Sequence, residues 1–543
     1  MTAPLTLLIL VSTIVLRVLY KRWSRISVAD IPGPESESFW IGNLQQMRQQ
    51  EVGTMDAKWG EAYGKIARVK VALGMDALWV SDPQALHYIL QKSGYTFEKT
   101  AERKVLSKLL GDDGLDGANP ETHKRQRKLM DPAFGAPVIK ALFPTFVQYA
   151  EILSFTWCKL VESSPGPACA INVASHLNVA TIDTVCEASF DYYTGCLENA
   201  DNELANLDAG RTRLMSSELE GGNGSCIFGE KYDRFYTTQD ATTIREWHTS
   251  TRGFALFLKN LPHQEAHTKS IGRGNIWPLR TGSRREGMPR GSIPNRERLA
   301  TSVWLGAKRA LGRAASSGPI VRRMQKMFPG LRTRHREDRA ELRASVAHRR
   351  RCRRALKVKS NCWVTVEVPG GMRAFLKEVV RVHPAVPYMY RRPVRDEVLP
   401  LSTPITTRSG KVISEVPIRK TLRLILSVPG YNMDKDVWGE YAHEFNPERF
   451  LRPTEKNGPN VGLWANTLTF SAGARSCIGW KFALYEMQAF LFVLVSRFQF
   501  SLTEDISRLR REYAGSLVPM LEGEVEKGAQ LPLGVSLAEQ QQD

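Results

Sequence analysis

The chain contains 543 residues, of which 75 are Lys or Arg and 56 are Asp or Glu, giving a net charge of +19. A chain of this length could hold several domains. Its eight cysteines are scattered, with no C-x-x-C pair or other metal-ligand spacing. This usage argues against a disulfide framework, and it is typical of a reducing compartment.

The N-terminus carries an apolar run over residues 5–20 that is interrupted only by Arg17 and is followed by three basic residues. The run is short for a full span, which needs about 20 residues, but its basic flank predicts an anchor with the rest of the chain in the cytoplasm. A cleaved signal peptide is the alternative, although no charged side chain precedes the run and no A-x-A site follows it. We predict an uncleaved membrane anchor over residues 1–25 and a Pro-rich hinge over residues 26–36.

A short basic helix is predicted around the sequence His-Lys-Arg-Gln-Arg at residues 123–127. His123 and Arg127 are one helical turn apart, so their side chains lie on the same face. Taken by itself, this pattern indicates no more than the exposed face of a basic helix.

The positive charge is concentrated in one central stretch, residues 271–360. This stretch has 21 Arg and 4 Lys against 5 acidic residues, a net charge of +20, so the rest of the chain nets −1. It lacks sustained apolar periodicity, and its Gly-, Ser- and Pro-rich pieces are typical of disorder. A basic run at 349–359 could bind phosphate, but no nucleic-acid-binding fold or interleaved aromatic residues accompany it. We therefore predict no nucleic-acid partner.

Two charged motifs follow the basic stretch. Glu378 and Arg381 form an E-x-x-R pair on one face of a predicted helix. Alone, such a pair is weak information, since most are solvated salt bridges. The segment Asn-Pro-Glu-Arg-Phe at residues 446–450 then supplies a second arginine, Arg449.

The most informative run is Phe-Ser-Ala-Gly-Ala-Arg-Ser-Cys-Ile-Gly at residues 470–479. The residues after Cys477 are spaced as a helix, and the free N–H groups and dipole of a helix N-terminus stabilise a thiolate. Gly473 permits a backbone conformation with positive φ in a tight turn. A buried, inert cysteine in a chance loop is the alternative, and five fixed positions in ten argue against it.

This run resembles the haem-thiolate loop of the cytochrome P450 family, and the resemblance covers about residues 27–204 and 372–520. It implies a mainly α fold with small β-sheets, and haem b with its iron held by Cys477. Phe470 would shield the sulfur, Gly479 would let the chain pass close to the porphyrin, and several basic residues would pair with the propionates. The cofactor-binding residues that the resemblance implies are Cys477, Arg475, Phe470, Gly473, Gly479, His123, Arg127 and Arg391. Glu378, Arg381 and Arg449 would form a buried network for folding and haem retention.

The implied activity is insertion of one oxygen atom from O2 into a hydrophobic small molecule, with electrons from an NADPH-dependent flavoprotein reductase. The resemblance is to fungal microsomal members in particular, which implies the endoplasmic reticulum membrane and the tailoring of a secondary metabolite such as a terpenoid. The family's I helix, with its acid–Thr pair, should fall within residues 207–370. Neither 209–212 nor 240–243 supplies a convincing version of that motif, so no catalytic residue is located.

The atypical segment 207–370 leaves several explanations open. It is a reading-frame error or retained intron, the mark of a degenerate and inactive relative, or a real basic insertion that binds nucleic acid or anionic lipid. Two further functions use the same scaffold: an oxygen-independent enzyme that rearranges peroxides, and a haem protein without catalysis. We expect the haem domain to comprise residues 37–206 and 371–525, with a disrupted I-helix region between them and a tail over 526–543.

Overall fold

The computed structural model describes residues 26–43, 46–47, 52–100, 114–199, 202, 205–206, 370–451, 458–513 and 516–538. The predicted anchor, the atypical segment up to residue 369 and both candidate I-helix motifs lie outside these residues. The described part of the hinge includes Gly33, whose neighbour Pro32 accepts a hydrogen bond of 2.9 Å from the Arg68 backbone N–H. The hinge therefore runs against the first β-strand of the domain.

Helices dominate the described part of the chain, and several begin with proline in their first turn, where the missing N–H costs nothing. The α-helices are α1 (Thr54–Tyr63), α2 (Pro83–His87), α3 (Pro120–Met130), α4 (Ala136–Ala141), α5 (Phe143–Ser163), α6 (Val173–Phe190), α7 (Gly370–Val382), α8 (Val428–Asn432), α9 (Lys435–Trp438) and α10 (Trp480–Arg497).

The strands form small sheets, the largest with five strands in the order β1-β2-β8-β5-β3. In that sheet β2 and β8 are parallel and the other neighbours are antiparallel. The strands are β1 (Ile66–Lys70), β2 (Asp76–Val80), β3 (Phe97–Glu98), β4 (Cys169–Asn172), β5 (Tyr388–Pro393), β6 (Glu397–Thr406), β7 (Val412–Ile418), β8 (Arg423–Ser427), β9 (Phe498–Leu502), β10 (Leu509–Tyr513), β11 (Leu517–Leu521) and β12 (Pro532–Leu537).

The largest hydrophobic core lies between α5 and α10. The rings of Phe146 on α5 and Phe482 on α10 meet edge to face, with centroids 4.8 Å apart. Trp157 is fully buried further along α5, where its indole N–H donates to His176 Nδ1 at 2.9 Å. Within the described ranges, the helical stretch Ala136–Ser163 is the one long and apolar enough to cross a membrane. This stretch is apolar because it packs against α10 in the hydrophobic core.

A second core covers the five-stranded sheet, and a buried carboxylate joins α1 to it. Asp56 accepts hydrogen bonds from Trp79 Nε1 at 3.0 Å and Tyr388 Oη at 2.7 Å, and a further one from Ser427 Oγ. Burial raises the pKa of Asp56, and these three donors oppose that rise. The sheet and α1 are therefore locked together beside the site described below.

The prediction of a mainly α fold with small β-sheets is confirmed. The segment that we predicted as a tail, 526–543, contains β12, which is the central strand of the sheet β4-β12-β9. Its backbone pairs with Cys169–Asn172 on one side and Phe498–Leu502 on the other. The last described residues are thus part of the packed domain, because their alternating apolar side chains are buried against the α5–α10 core.

Candidate active site

The loop at residues 470–479 holds Cys477 close to the start of α10. The Cys477 N–H donates to the Phe470 carbonyl oxygen at 2.9 Å, which closes the loop. Phe470 itself is buried, with 7% of its surface exposed. Gly479 is the N-cap of α10 and no side chain caps that helix, so its first N–H groups remain available to favour an anion at Cys477.

The two glycines of this loop differ in backbone conformation and in the space around them. Gly473 has φ +67°, and a Cβ there would lie 1.7 Å from the Leu90 carbonyl oxygen. Gly479 has φ −87°, and the nearest described atom to its Cβ would be a ring carbon of Phe134 at 3.9 Å. The fold itself therefore requires glycine at 473. At 479 the space next to the backbone is open, as it must be if a large flat group passes there.

A half-buried cationic pocket lies beside the loop and is made of Tyr95, Lys99, His123 and Arg475, of which His123 is the fully buried member. The Arg475 Nη2 donates to the Ala118 carbonyl oxygen at 2.9 Å, whereas its Nε is buried and makes no hydrogen bond to the part of the chain that the structure describes. His123 is 3% exposed, and its Nδ1 is 2.8 Å from the Tyr95 hydroxyl. Because a buried N–H without an acceptor is rare, the pocket is incomplete without a further acceptor.

The pKa shifts of His123 and Arg475 also indicate that the pocket lacks an anion. Burial lowers the pKa of His123 to about 3, with further lowering from Arg475, Lys99 and Arg127. The imidazole is therefore neutral near neutral pH. Burial also lowers the pKa of Arg475. A bound carboxylate would offset the repulsion among these groups and accept from the Arg475 Nε, so the residues present fit the propionates of haem.

Arg127 makes two hydrogen bonds within the chain. Its Nη1 donates to the Ser476 carbonyl oxygen at 2.6 Å and its Nε to Asp131 Oδ1 at 2.6 Å. These bonds dock α3 onto the residue next to Cys477. Arg391 is buried on β5, where its Nη1 donates to the Tyr390 carbonyl oxygen at 2.9 Å. For both arginines, propionate binding stays a prediction.

The structure brings Glu378, Arg381 and Arg449 together in a buried network. Arg381 Nε and Nη2 donate to the two oxygens of Glu378, each at 2.7 Å, and both side chains are fully buried. Arg449 Nε donates to Glu378 Oε1 at 3.1 Å. The remaining Arg381 donors reach the carbonyl oxygens of Asn432, Ala442 and Glu444 at 2.8, 2.5 and 2.9 Å. This bidentate geometry is the strong form of the ion pair.

Asn432 links this network to the cysteine loop, and the sequence reading missed it. Its Nδ2 donates to the Arg381 carbonyl oxygen at 3.0 Å, and its Oδ1 accepts from the Leu468 N–H at 2.8 Å. Tyr95 was missed as well. The position of Asn432 shortly before the Arg449 segment was a usable signal, whereas nothing near Tyr95 in the sequence marks it.

A thiolate candidate at a helix start, beside a half-buried cationic pocket, is the arrangement that a haem-thiolate site requires. The model of the cytochrome P450 family matches residues 32–220 and 371–525, more than half of the chain, so the chain belongs to this family. Cytochrome P450 monooxygenase 81 of Postia placenta is 28% identical over 548 residues, covering 96% of both chains. Cytochrome P450 monooxygenase claQ of Ampulloclitocybe clavipes is 24% identical, covering 93% of both.

These matches confirm the resemblance to fungal P450 proteins and identify the chain as a P450 oxidoreductase. The family implies a haem-thiolate cofactor, a redox partner and a hydrophobic substrate. The stretch between the two matched ranges falls inside the atypical segment 207–370.

Proposed function

We propose that this chain is a haem-thiolate monooxygenase that inserts one oxygen atom from O2 into a hydrophobic small molecule, with haem b held by Cys477. The observation that supports the proposal most directly is the position of Cys477, fixed by its bond to the Phe470 carbonyl oxygen ahead of the uncapped start of α10. The incomplete cationic pocket beside it supports the presence of an anionic cofactor.

The residues around Cys477 would have separate roles in binding the haem. Haem, when bound, supplies oxygen activation, and the protein supplies ligation, orientation and control of water. The uncapped N–H groups of α10 would stabilise the Cys477 thiolate, and the buried Phe470 ring would keep water from it. Arg475 and His123 would hold the propionates by a charged and a neutral hydrogen bond respectively.

The Glu378 network would have a structural role. It ties α7 to the segment that precedes the cysteine loop, and Asn432 carries the connection to Leu468. We propose that its function is folding and haem retention, since all of its charged groups are satisfied inside the protein and none is left for a substrate.

We propose that an NADPH-dependent flavoprotein reductase supplies the electrons and that the substrate is a fungal secondary metabolite such as a terpenoid. The similarity to fungal P450 monooxygenases supports this class of enzyme. The substrate class rests on that likeness, since one fold serves many substrates.

We also propose an N-terminal anchor over residues 1–25 in the endoplasmic reticulum membrane, with the domain in the cytoplasm. An exposed apolar patch supports it: Phe39 and Trp40 are 63% and 69% exposed, and Leu73 and Met75 lie beside them. The Gly74 N–H donates to the Phe39 carbonyl oxygen at 2.9 Å, which joins the two segments. Aromatic side chains favour the membrane interface. Membrane fractionation with protease protection tests this topology, and a domain protected inside intact vesicles would contradict it.

The first test of the function is Cys477→Ala. We expect the mutant to lose the thiolate-type absorption of the reduced carbon-monoxide complex, because alanine cannot ligate iron. Cys169→Ala is the matched control, since Cys169 lies on β4 in the sheet formed with β9 and β12 and should leave the spectrum unchanged. A thiolate spectrum retained in Cys477→Ala would show that another residue is the ligand.

The second test separates the monooxygenase from its alternatives. The exact chain is expressed with a reductase, and NADPH use is compared with product formation. Because residues 207–370 lack a recognisable acid–Thr pair, we expect NADPH use to exceed product. Hydroperoxide consumption without NADPH turnover would favour the peroxide-rearranging enzyme, and a thiolate spectrum with neither activity would favour a haem protein without catalysis. A transcript sequence across codons 205–372 tests the reading frame.

A further inference from the structure

Tyr95 is the centre of the cationic pocket, although it carries no charge. Its ring meets the His123 ring edge to face, with centroids 5.7 Å apart. The Lys124 Nζ lies 5.0 Å and the Arg475 Cζ 5.3 Å from the centroid of the same ring. Gly94, with φ +61°, turns the chain just before Tyr95, and β3 begins just after it. The tyrosine is thus held in place by the fold.

The hydrogen bond between Tyr95 and His123 has two possible directions. A neutral imidazole has one N–H, so either the Tyr95 hydroxyl donates to Nδ1 and the proton is on Nε2, or Nδ1 donates and Nε2 is bare. The 2.8 Å distance suits both. Within the described residues, Nε2 has no hydrogen-bond partner, so this second nitrogen is available to a bound group.

The two cations at the Tyr95 ring favour one direction of this hydrogen bond. Positive charge close to a phenol withdraws electron density from its oxygen, which makes the hydroxyl a better donor and a poorer acceptor. This favours the direction in which the hydroxyl donates to Nδ1 and the proton of His123 lies on Nε2. A cofactor carboxylate accepts hydrogen bonds and donates none, so this tautomer is the one that it requires.

We propose that Tyr95 is a positioning residue that fixes the Nε2–H tautomer of His123, so that the imidazole donates a neutral hydrogen bond to a haem propionate. The inference rests on the proposed propionate role of His123 and Arg475. It gives the pocket two kinds of donor, a charged guanidinium and an oriented neutral imidazole.

The test is Tyr95→Phe in the full-length holoprotein, which keeps the ring and its cation contacts and removes only the hydroxyl. We expect haem transfer to apomyoglobin to be about 2- to 10-fold faster, the range for loss of one neutral hydrogen bond. We also expect the haem reduction potential to fall, because the propionate keeps more of its negative charge. Tyr88→Phe is the matched control: its hydroxyl donates to Glu397 at 2.7 Å and its ring packs edge to face on Phe97.

A second background shows whether Tyr95 acts through His123. In His123→Gln the amide carries its donor whatever Tyr95 does, so adding Tyr95→Phe should change neither haem transfer nor potential further. The inference is overturned if Tyr95→Phe behaves like Tyr88→Phe, or if its effect is the same in both backgrounds. Failure of the propionate site itself would be seen separately, as unchanged haem retention in Arg475→Gln.

Discussion

Two clusters of charged residues, the Glu378 network and the cationic pocket, differ in how completely their hydrogen bonds are satisfied. In the Glu378 network every donor of Arg381 has an acceptor within the chain. In the cationic pocket, the Arg475 Nε has no hydrogen-bond partner among the described residues, and His123 is held neutral among cations. A closed cluster has its charged groups satisfied within the chain and is costly to break, whereas an open one is completed by what it binds. The comparison therefore separates residues for folding from residues for the cofactor.

The largest effect expected from this comparison is on the closed network. Glu378→Gln leaves the guanidinium groups of Arg381 and Arg449 without their carboxylate in a buried site. We expect the free energy of unfolding to fall by about 3–5 kcal/mol, the usual cost of removing one partner of a buried ion pair. Urea denaturation of the holoprotein measures it.

Glu440→Gln is the control for that measurement. Glu440 pairs with Lys435 at 2.7 Å, but both side chains are more than half exposed. Exposed pairs contribute at most about 1 kcal/mol. Equal losses in the two mutants would show that the Glu378 network is no more important than a surface salt bridge.

Substitutions in the cationic pocket should weaken haem retention more than they lower the stability of the haem-free protein. In Arg475→Gln we expect haem transfer to apomyoglobin to be about 10- to 100-fold faster, because a charged hydrogen bond to the propionate is lost. The unfolding free energy of the haem-free protein should fall by much less than in Glu378→Gln, since Arg475 donates to the described chain through Nη2, to the Ala118 carbonyl oxygen, and not through Nε. Arg497→Gln, which removes a partner of Glu151 at the other end of α10, should leave haem transfer unchanged. Destabilisation of the haem-free protein by Arg475→Gln to the extent seen for Glu378→Gln would erase the distinction.

The sequence predicted those parts of the site that a short spacing encodes. The run at 470–479 predicted Cys477 as the iron ligand, which stays a prediction. The family resemblance, carried by the E-x-x-R pair and the later Arg449, implied a network that the structure assembles. Each of these depends on residues that are close in sequence or belong to one fixed motif.

The parts that the sequence did not predict depend on tertiary contacts. Tyr95 reaches His123 because Phe97–Glu98 pairs with β5, and no local pattern reports a pairing across so many residues. The family resemblance implied a propionate role for Arg127, which stays a prediction, and its bonds to Ser476 and Asp131 depend on how α3 docks. Likewise, β12 gains its place from two strands that are remote in sequence.

Glu486 provides the smallest expected effect and is a third kind of buried ionisable group. It lies on α10 and is fully buried, and neither of its carboxyl oxygens has a hydrogen-bond partner among the described residues. Burial raises the pKa of Glu486 well above its usual range. Such an acid is neutral in the folded protein but ionises in the unfolded chain above pH about 4.3. Its contribution to stability is therefore full below that pH and is lost as the pH rises toward the folded-state pKa.

Glu486→Gln tests this account, because glutamine has nearly the same size and is neutral at every pH. As the pH rises from 5 to 6, we expect the unfolding free energy of the mutant to increase by about 1 kcal/mol relative to that of the wild type. The reason is that the wild type must suppress an ionisation that the mutant lacks. Urea denaturation at the two pH values measures the difference, with Glu440→Gln as an exposed control that should show no such gain. A gain that is the same at both pH values would mean that the Glu486 carboxyl ionises normally in the folded protein. Glu486 would then need a hydrogen-bond donor from a bound group, just as Arg475 is expected to need an acceptor from one. It would be a second example of a charged group that is completed by what the protein binds.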